Sequence, residues 1–190
     1  MHILDLKDKK YDIIYADPAW EYKESGGGVR GTAGLKTTYD GTMSTDDICK
    51  IPVKGISSEN AILFLWATFP KLEEAMRVTK EWGFVYYGLG FNWIKKNKKT
   101  DSLFWGMGYY TRQNPEVCLI GVKKNKKTRI KPISRGVHSV IMSSIREHSR
   151  KPSEVREGIV KICGDLPRIE LFSREIVEGW DSWGNQVEKY

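Results

Sequence analysis

Short apolar runs that alternate with helix-forming segments constrain the fold of this chain more than any other feature. Three runs are rich in β-branched and aromatic residues and lack strict polar alternation, which is typical of strands buried on both faces; they span residues 11–16, 61–67 and 117–122. Residues 84–95 and 168–172 predict two further strands. Because helical segments separate most of these strands, the pattern predicts a doubly wound α/β fold with a largely parallel sheet.

Capping residues and prolines mark the predicted helices. Ser44, with Asp47 three residues later, predicts a helix start, and this helix is expected to end before Pro52. Pro70 opens a second helix, whose inward positions are expected at Leu72, Ala75, Met76, Thr79 and Trp82. A third helix is expected to begin near Ser153.

Length and composition predict one globular domain. The chain has 190 residues with no internal repeat or linker, so a single domain is expected over residues 1–190. Hydrophobic residues make up 40%, but no apolar run reaches the roughly 20 residues of a membrane span. The N-terminal residues lack the pattern of a signal peptide, so a cytoplasmic location is expected.

The cysteines, the histidines and the net charge limit the disulfides, metals and partners that are expected for this chain. Cys49, Cys118 and Cys163 lie far apart in apolar contexts, so we expect reduced thiols and no disulfide framework. The three histidines show no metal-ligand spacing, so no metal is expected. The net charge of +7 favours a polyanionic partner such as nucleic acid, although charge alone is weak evidence.

The loops that follow the first and last predicted strands are expected to form one site. Ligands of doubly wound sheets bind outside the carboxyl ends of strands, and Asp17 comes directly after residues 11–16. Two long polar segments are candidate substrate loops: the Gly-rich residues 23–42 and the basic, aromatic residues 96–114.

The segment Asp17-Pro18-Ala19-Trp20 has the groups that a reaction at the exocyclic amine of adenine requires. The exocyclic amine of adenine is a poor nucleophile because its lone pair is delocalised into the ring, so a catalyst must orient it with hydrogen-bond acceptors. The Asp17 carboxylate and the Pro18 carbonyl are such acceptors, and Trp20 offers a flat face for an extruded base. Alone the tetrapeptide is weak evidence, because Asp-Pro also forms ordinary turns.

An ordered series of motifs resembles the MT-A70 family of N6-adenine methyltransferases, which carries Asp-Pro-Pro-Trp after its first strand. Ala19 replaces the second proline of that motif, which leaves the loop backbone less restricted. The further motifs follow in the family's order: Tyr39 to Ser44, Leu63 to Trp66, Asn92 to Lys95, Ser149 to Pro152, Ile169 to Phe172, Arg174 and Trp183 to Gln186.

The resemblance implies S-adenosylmethionine as cofactor and a Rossmann-like methyltransferase fold in which the catalytic motif precedes the cofactor-binding strand. It implies that Asp17 contacts both the target amine and the methionine amino group, and that Lys95 pairs with the methionine carboxylate. Glu170 and Phe172 would shape the last strand end. The ribose would be held by Arg174, Asn185 and Gln186. From charge pattern alone, the alternative is that Lys95 is one more solvated lysine of residues 95–99.

The expected substrate is DNA, because the chain resembles short prokaryotic members of the family. RNA is the alternative, and a catalytically inactive nucleic-acid-binding subunit is another. A second copy of this chain and a different subunit are the two candidate protein partners. Basic and aromatic residues are candidates for contacting the substrate, although charge runs are usually solvated loops: Tyr39, Tyr109, Tyr110, Arg112, Lys124, Arg146 and His148.

Overall fold

A computed structural model describes residue 6 and residues 8–22, 41–146 and 150–184. Seven strands form one sheet in the order β5-β3-β4-β2-β1-β6-β7, which confirms the predicted α/β architecture. The strands are β1 (Tyr11–Ala16), β2 (Ser57–Ala67), β3 (Val85–Lys96), β4 (Pro115–Val122), β5 (Val140–Ser144), β6 (Arg168–Leu171) and β7 (Asp181–Trp183).

The helical elements are α1 (Thr45–Lys50), α2 (Val53–Ile56), a 3₁₀ turn (Phe69–Lys71), α3 (Leu72–Glu81) and α4 (Ser153–Cys163). The bounds of α1, α3 and α4 lie close to the expected residues, whereas α2 and the 3₁₀ turn around Pro70 were not predicted. The Ser44 hydroxyl accepts a hydrogen bond from the Asp47 amide at 3.1 Å, which confirms the predicted cap of α1. The inward position assigned to Met76 is wrong, because its side chain is 38% exposed and Val78 packs into the core instead.

Helices cover both faces of the sheet. Alternate side chains of a strand point to opposite faces. Ile14 and Ala16 of β1 therefore belong to the hydrophobic cluster that includes α1, α2 and α3. Ile13 and Tyr15 belong to the cluster that includes α4. Sheet and helices enclose two core layers.

β4 is the strand that departs from parallel pairing. It runs antiparallel to both β2 and β3, whereas the pairs β1–β2, β1–β6, β3–β5 and β6–β7 are parallel. Residues 97–114, between β3 and β4, contain no helix, so the chain returns beside β3 without a crossover. β5 and β7 were not predicted, because they are short edge strands of five and three residues.

This topology gathers the functional candidates at one edge. The carboxyl ends of β1, β2, β3 and β6 and the amino end of β4 meet there, since Ala16 pairs with Leu65 and Leu171, and Val117 pairs with Ala67 and Asn92. The expectation that the loops after the first and last predicted strands lie together is confirmed.

Two further observations complete the fold. Cys118 and Cys163 are buried, Cys49 is partly buried, and all three are free thiols. Within the described ranges, no helix has the length and apolarity needed to cross a membrane.

Candidate active site

The backbone around Asp17 is held by neighbours on both sides. The Asp17 amide donates to the Leu171 carbonyl at 3.4 Å, and the Trp20 amide donates to the Pro18 carbonyl at 2.9 Å. The Ala19 carbonyl accepts from the Met43 amide at 2.9 Å. The loop is therefore tied down at the position where the family carries its second proline.

Asp17 begins a chain of alternating charges. The Lys151 ammonium lies 2.6 Å from an Asp17 carboxylate oxygen and 3.2 Å from Glu116 Oε2. The other Glu116 oxygen, Oε1, accepts from Lys95 Nζ. Both Lys151 and Glu116 are buried, so the two lysines and two carboxylates form a compensated cluster, here called the charge cluster.

The contacts in the charge cluster keep its two buried members, Lys151 and Glu116, ionised. Burial alone lowers the pKa of Lys151, but the negative charges and hydrogen bonds of Asp17 and Glu116 raise it above the ordinary lysine value. Burial raises the pKa of Glu116, but Lys151 and Lys95 together bring it below 4.5. At neutral pH these two residues therefore present fixed charges.

Two cavities meet at this cluster. The first, here the charged cavity, has a volume of about 330 Å³ and the second, here the aromatic cavity, about 410 Å³. Asp17, Lys151 and Arg174 line both cavities. The charged cavity is otherwise lined by residues that include Arg146, Glu170 and Phe172. The aromatic cavity is lined by residues that include Pro18, Trp20, Tyr22, Lys95, Phe104 and Met107.

Arg156 organises the wall of the charged cavity. Its guanidinium binds both Glu170 oxygens, at 2.7 and 3.0 Å, and lies 2.8 Å from Glu175. Burial, followed by the charges of Asp17 and Glu175, raises the pKa of Glu170, and the bond to Arg156 opposes that shift. The bidentate geometry fixes the end of β6 beside Asp17.

Phe172 adopts the unusual backbone conformation of this wall. Its φ of 63° is the one positive value among non-glycine residues in the described part of the chain. Its ring packs edge-on against Trp183 at 5.5 Å. Positive φ at a bulky residue costs about 1–3 kcal/mol and is concentrated at functional sites.

Trp20 has less free surface than the sequence suggested. Its side chain is only 6% exposed, and its indole N–H donates to the Trp66 carbonyl at 3.2 Å. The ring contributes to the wall of the aromatic cavity, but the flat face expected for base stacking is largely covered. Its best supported role is to hold the Asp17 loop against β2.

The structure separates the remaining predicted residues into three groups. Tyr109, Tyr110 and Arg112 lie on an exposed loop whose base borders the aromatic cavity. Four candidates lie outside the described residues: Tyr39, His148, Asn185 and Gln186. Lys124 lies apart from the site, because it follows the far end of β4, about 20 Å of strand away from Glu116, and its contact with substrate stays a prediction.

Sequence reasoning missed Lys151 and Glu116. Lys151 stands in Ser149-Arg150-Lys151-Pro152, a motif that marked only the order of the segments. Glu116 lies at the start of a strand and had no local signal. Lys95, the lysine chosen from the sequence, lines the aromatic cavity, whereas Lys151 lines both cavities.

Fold and site together define an α/β domain with a ligand site at the carboxyl ends of its strands. The MT-A70 family model matches residues 11–186, so the chain belongs to the MT-A70 family. This confirms the resemblance inferred from the ordered motifs.

Relatives fall into two size classes. The Type II methyltransferase M.MunI of Mycoplasma sp is 30% identical over 96% of this chain and 80% of its own length. The human N(6)-adenosine-methyltransferase catalytic subunit METTL3 is 26% identical over 94% of this chain but only 28% of its own length. The Arabidopsis thaliana N(6)-adenosine-methyltransferase MT-A70-like protein is 27% identical over 93% of this chain and 24% of its own.

The pKa of Glu116 gives a testable pH dependence of stability. A carboxyl whose pKa is lower in the folded than in the unfolded state stabilises the fold above its unfolded pKa and loses that contribution on acidification. We expect the free energy of unfolding to fall as pH drops below 4.5, and Glu116→Gln to flatten that dependence while lowering stability at neutral pH. Denaturant titrations across this pH range measure the difference. Exposed Glu157→Gln is the matched control, and an equal flattening in it would contradict the assignment.

Proposed function

We propose that this protein transfers the methyl group of S-adenosylmethionine to the N6 amine of adenine in DNA. The observation that supports the proposal is the position of Asp17, which begins Asp17-Pro18-Ala19-Trp20 within the region matched by the MT-A70 model and lies at the junction of two cavities. One carboxylate at such a junction is able to contact cofactor and acceptor at once.

The residues of the Asp17 loop suit amine activation. The Asp17 carboxylate accepts from an amine hydrogen, and the Pro18 carbonyl, which binds the Trp20 amide, retains a second lone pair for the other hydrogen. Two acceptors that hold the two amine hydrogens out of the ring plane rehybridise the nitrogen, which reduces delocalisation of its lone pair into the ring and directs that lone pair at the methyl group. The gain comes from orientation and preorganised electrostatics, so no covalent intermediate is required.

The charged cavity has the donors and acceptors that the cofactor requires. S-adenosylmethionine, when bound, supplies an electrophilic methyl group and presents a zwitterionic methionine and a ribose diol. Asp17 suits the amino group and Lys151 the carboxylate, because both line this cavity. Arg174, with Asn185 and Gln186, suits the ribose. We therefore assign the carboxylate to Lys151 in place of Lys95.

DNA is proposed because the chain matches four-fifths of a Type II methyltransferase and about a quarter of the N(6)-adenosine-methyltransferases. The net charge of +7 suits either nucleic acid. We also propose that the protein binds a partner, either a second copy of this chain or a different subunit. The cytoplasmic location, the absence of a resident metal and the single domain stay predictions.

Methyl transfer from labelled S-adenosylmethionine to duplex DNA, single-stranded DNA and RNA of the same sequence tests the proposal. We expect N6-methyladenine in DNA. Transfer confined to RNA would overturn the choice of polymer and keep the chemistry. If calorimetry detected no binding of S-adenosylmethionine or S-adenosylhomocysteine, the inactive-subunit alternative would replace the enzyme.

Lys151→Met tests the cofactor assignment. Loss of a charged hydrogen bond to the methionine carboxylate is expected to weaken cofactor binding about 100-fold. Lys95→Met is the matched control, because Lys95 also contacts Glu116 but lines only the aromatic cavity. Calorimetry with S-adenosylhomocysteine measures both variants. A larger loss in Lys95→Met would restore the assignment made from the sequence.

A further inference from the structure

We propose that residues 103–113 form an aromatic finger that binds unpaired nucleotides beside the target adenine, so that the favoured substrate is single-stranded or locally unpaired. This inference rests on the proposed function and adds the structural state of the nucleic acid. It depends on three features of the finger: its glycines, its attachment and its exposed rings.

Two glycines give the finger its narrow shape. A Cβ atom on Gly106 would lie 1.6 Å from the Gln113 carbonyl oxygen, and one on Gly108 would lie 2.1 Å from the Thr111 carbonyl oxygen. No side chain fits at either position, because real contacts of this kind exceed 3 Å. The two arms therefore approach each other closely and place Tyr109 and Tyr110 at the tip.

The base of the finger is attached to the active-site end of β3. The Phe104 amide donates to the Lys95 carbonyl at 2.8 Å, and the Lys95 amide donates to the Asn114 carbonyl at 3.0 Å. Phe104, Gly106 and Met107 also line the aromatic cavity. The finger thus projects from the wall of the cavity that contains Asp17.

The side chains along the finger are aromatic and open to solvent. Trp105 is 71% exposed, Tyr109 89% and Tyr110 94%. The two tyrosine rings lie 5.0 Å apart at an angle of 83°, and the Arg112 guanidinium lies 4.7 Å over the Trp105 ring. Large exposed rings concentrated in one place mark an interaction surface.

The chemistry of this surface fits bases better than an intact double helix. Aromatic rings bind nucleic acid by stacking on base faces, and an arginine adds attraction to phosphate. In a paired helix the base faces are covered by their neighbours, so rings on a projecting finger reach them only where bases are unpaired. Extrusion of the target adenine also costs least in such a segment.

A pair of double variants separates the finger from general surface aromaticity. The tip variant, Tyr109→Ala/Tyr110→Ala, removes the two tyrosine rings at the tip of the finger. The β3 variant, Tyr86→Ala/Tyr87→Ala, removes two exposed tyrosines of β3 at the opposite end of the sheet. Fluorescence anisotropy would measure binding of a labelled adenine-containing single strand, of the matching duplex and of a duplex with the adenine in a bulge. Calorimetry with S-adenosylhomocysteine and sedimentation velocity serve as controls for the cofactor site and for association.

We expect the wild-type protein to bind and methylate the single strand and the bulge better than the duplex. The tip variant should bind the single strand about tenfold more weakly, with unchanged cofactor affinity, and the β3 variant should bind within twofold of wild type. Gly106→Ala should reproduce the loss without removing any ring.

Several results would overturn the inference. Equal binding by the tip variant and wild type would do so, as would a wild-type preference for the fully paired duplex. A tip variant that lost self-association but not nucleic-acid binding would identify the finger as a protein interface. Tip-dependent binding without methyl transfer to any polymer would contradict the proposed function alone.

Discussion

Replacing Asp17 by alanine is expected to lower the rate of methyl transfer at least a thousandfold. Loss of one preorganised hydrogen-bonding group at a reacting atom costs about 10²–10³ in rate, and Asp17 is assigned a second contact, to the cofactor. Asp17→Asn keeps the shape but replaces one acceptor oxygen with a donor, so it should also be strongly impaired. Single-turnover rates with labelled S-adenosylmethionine measure the chemical step.

The fold should survive the loss of Asp17. The Asp17 side chain is partly exposed, and the buried Lys151 ammonium keeps Glu116 as a partner in the variant. We therefore expect a small change in Tm, which thermal unfolding monitored by circular dichroism would detect. Asp46→Ala, which removes an exposed partner of Arg77, is the control with full activity. Asp17→Ala with more than a tenth of wild-type activity would refute the assigned role.

Arg156→Leu is expected to destabilise the protein by about 3–5 kcal/mol, the cost of breaking a buried ion pair. The variant leaves the carboxylates of Glu170 and Glu175 without their shared guanidinium in the wall of the charged cavity. The penalty arises mainly from unpaired buried charge and less from lost packing, because leucine fills much of the same space. Urea denaturation measures the free energy of unfolding.

A matched variant tests this explanation. Arg77→Leu breaks the exposed pair with Asp46 and should cost less than about 1 kcal/mol. Adding Glu170→Gln to Arg156→Leu removes one uncompensated charge and should recover part of the stability. Similar losses in Arg156→Leu and Arg77→Leu, or no recovery in the double variant, would show that burial of charge is not the cause.

Local sequence patterns were sufficient for the strands that carry the site. β1, β2 and β4 contain continuous apolar runs at residues 13–16, 61–67 and 117–122, because both faces of the sheet are covered there, and such runs differ clearly from loops. The placement of Asp17 after β1 follows from the run that precedes it. The cap at Ser44 is equally local, since donor and acceptor lie three residues apart.

Contacts between distant residues required the tertiary structure. Lys95 and Lys151 have the same chemistry in the sequence, and only the folded chain shows that Lys151 lies between Asp17 and Glu116. Because β4 runs antiparallel to β2, its carboxyl end, and with it Lys124, lies at the end of the sheet opposite the site. Ion pairs across 134 residues depend on which strand ends meet, and sheet topology, not local periodicity, determines that.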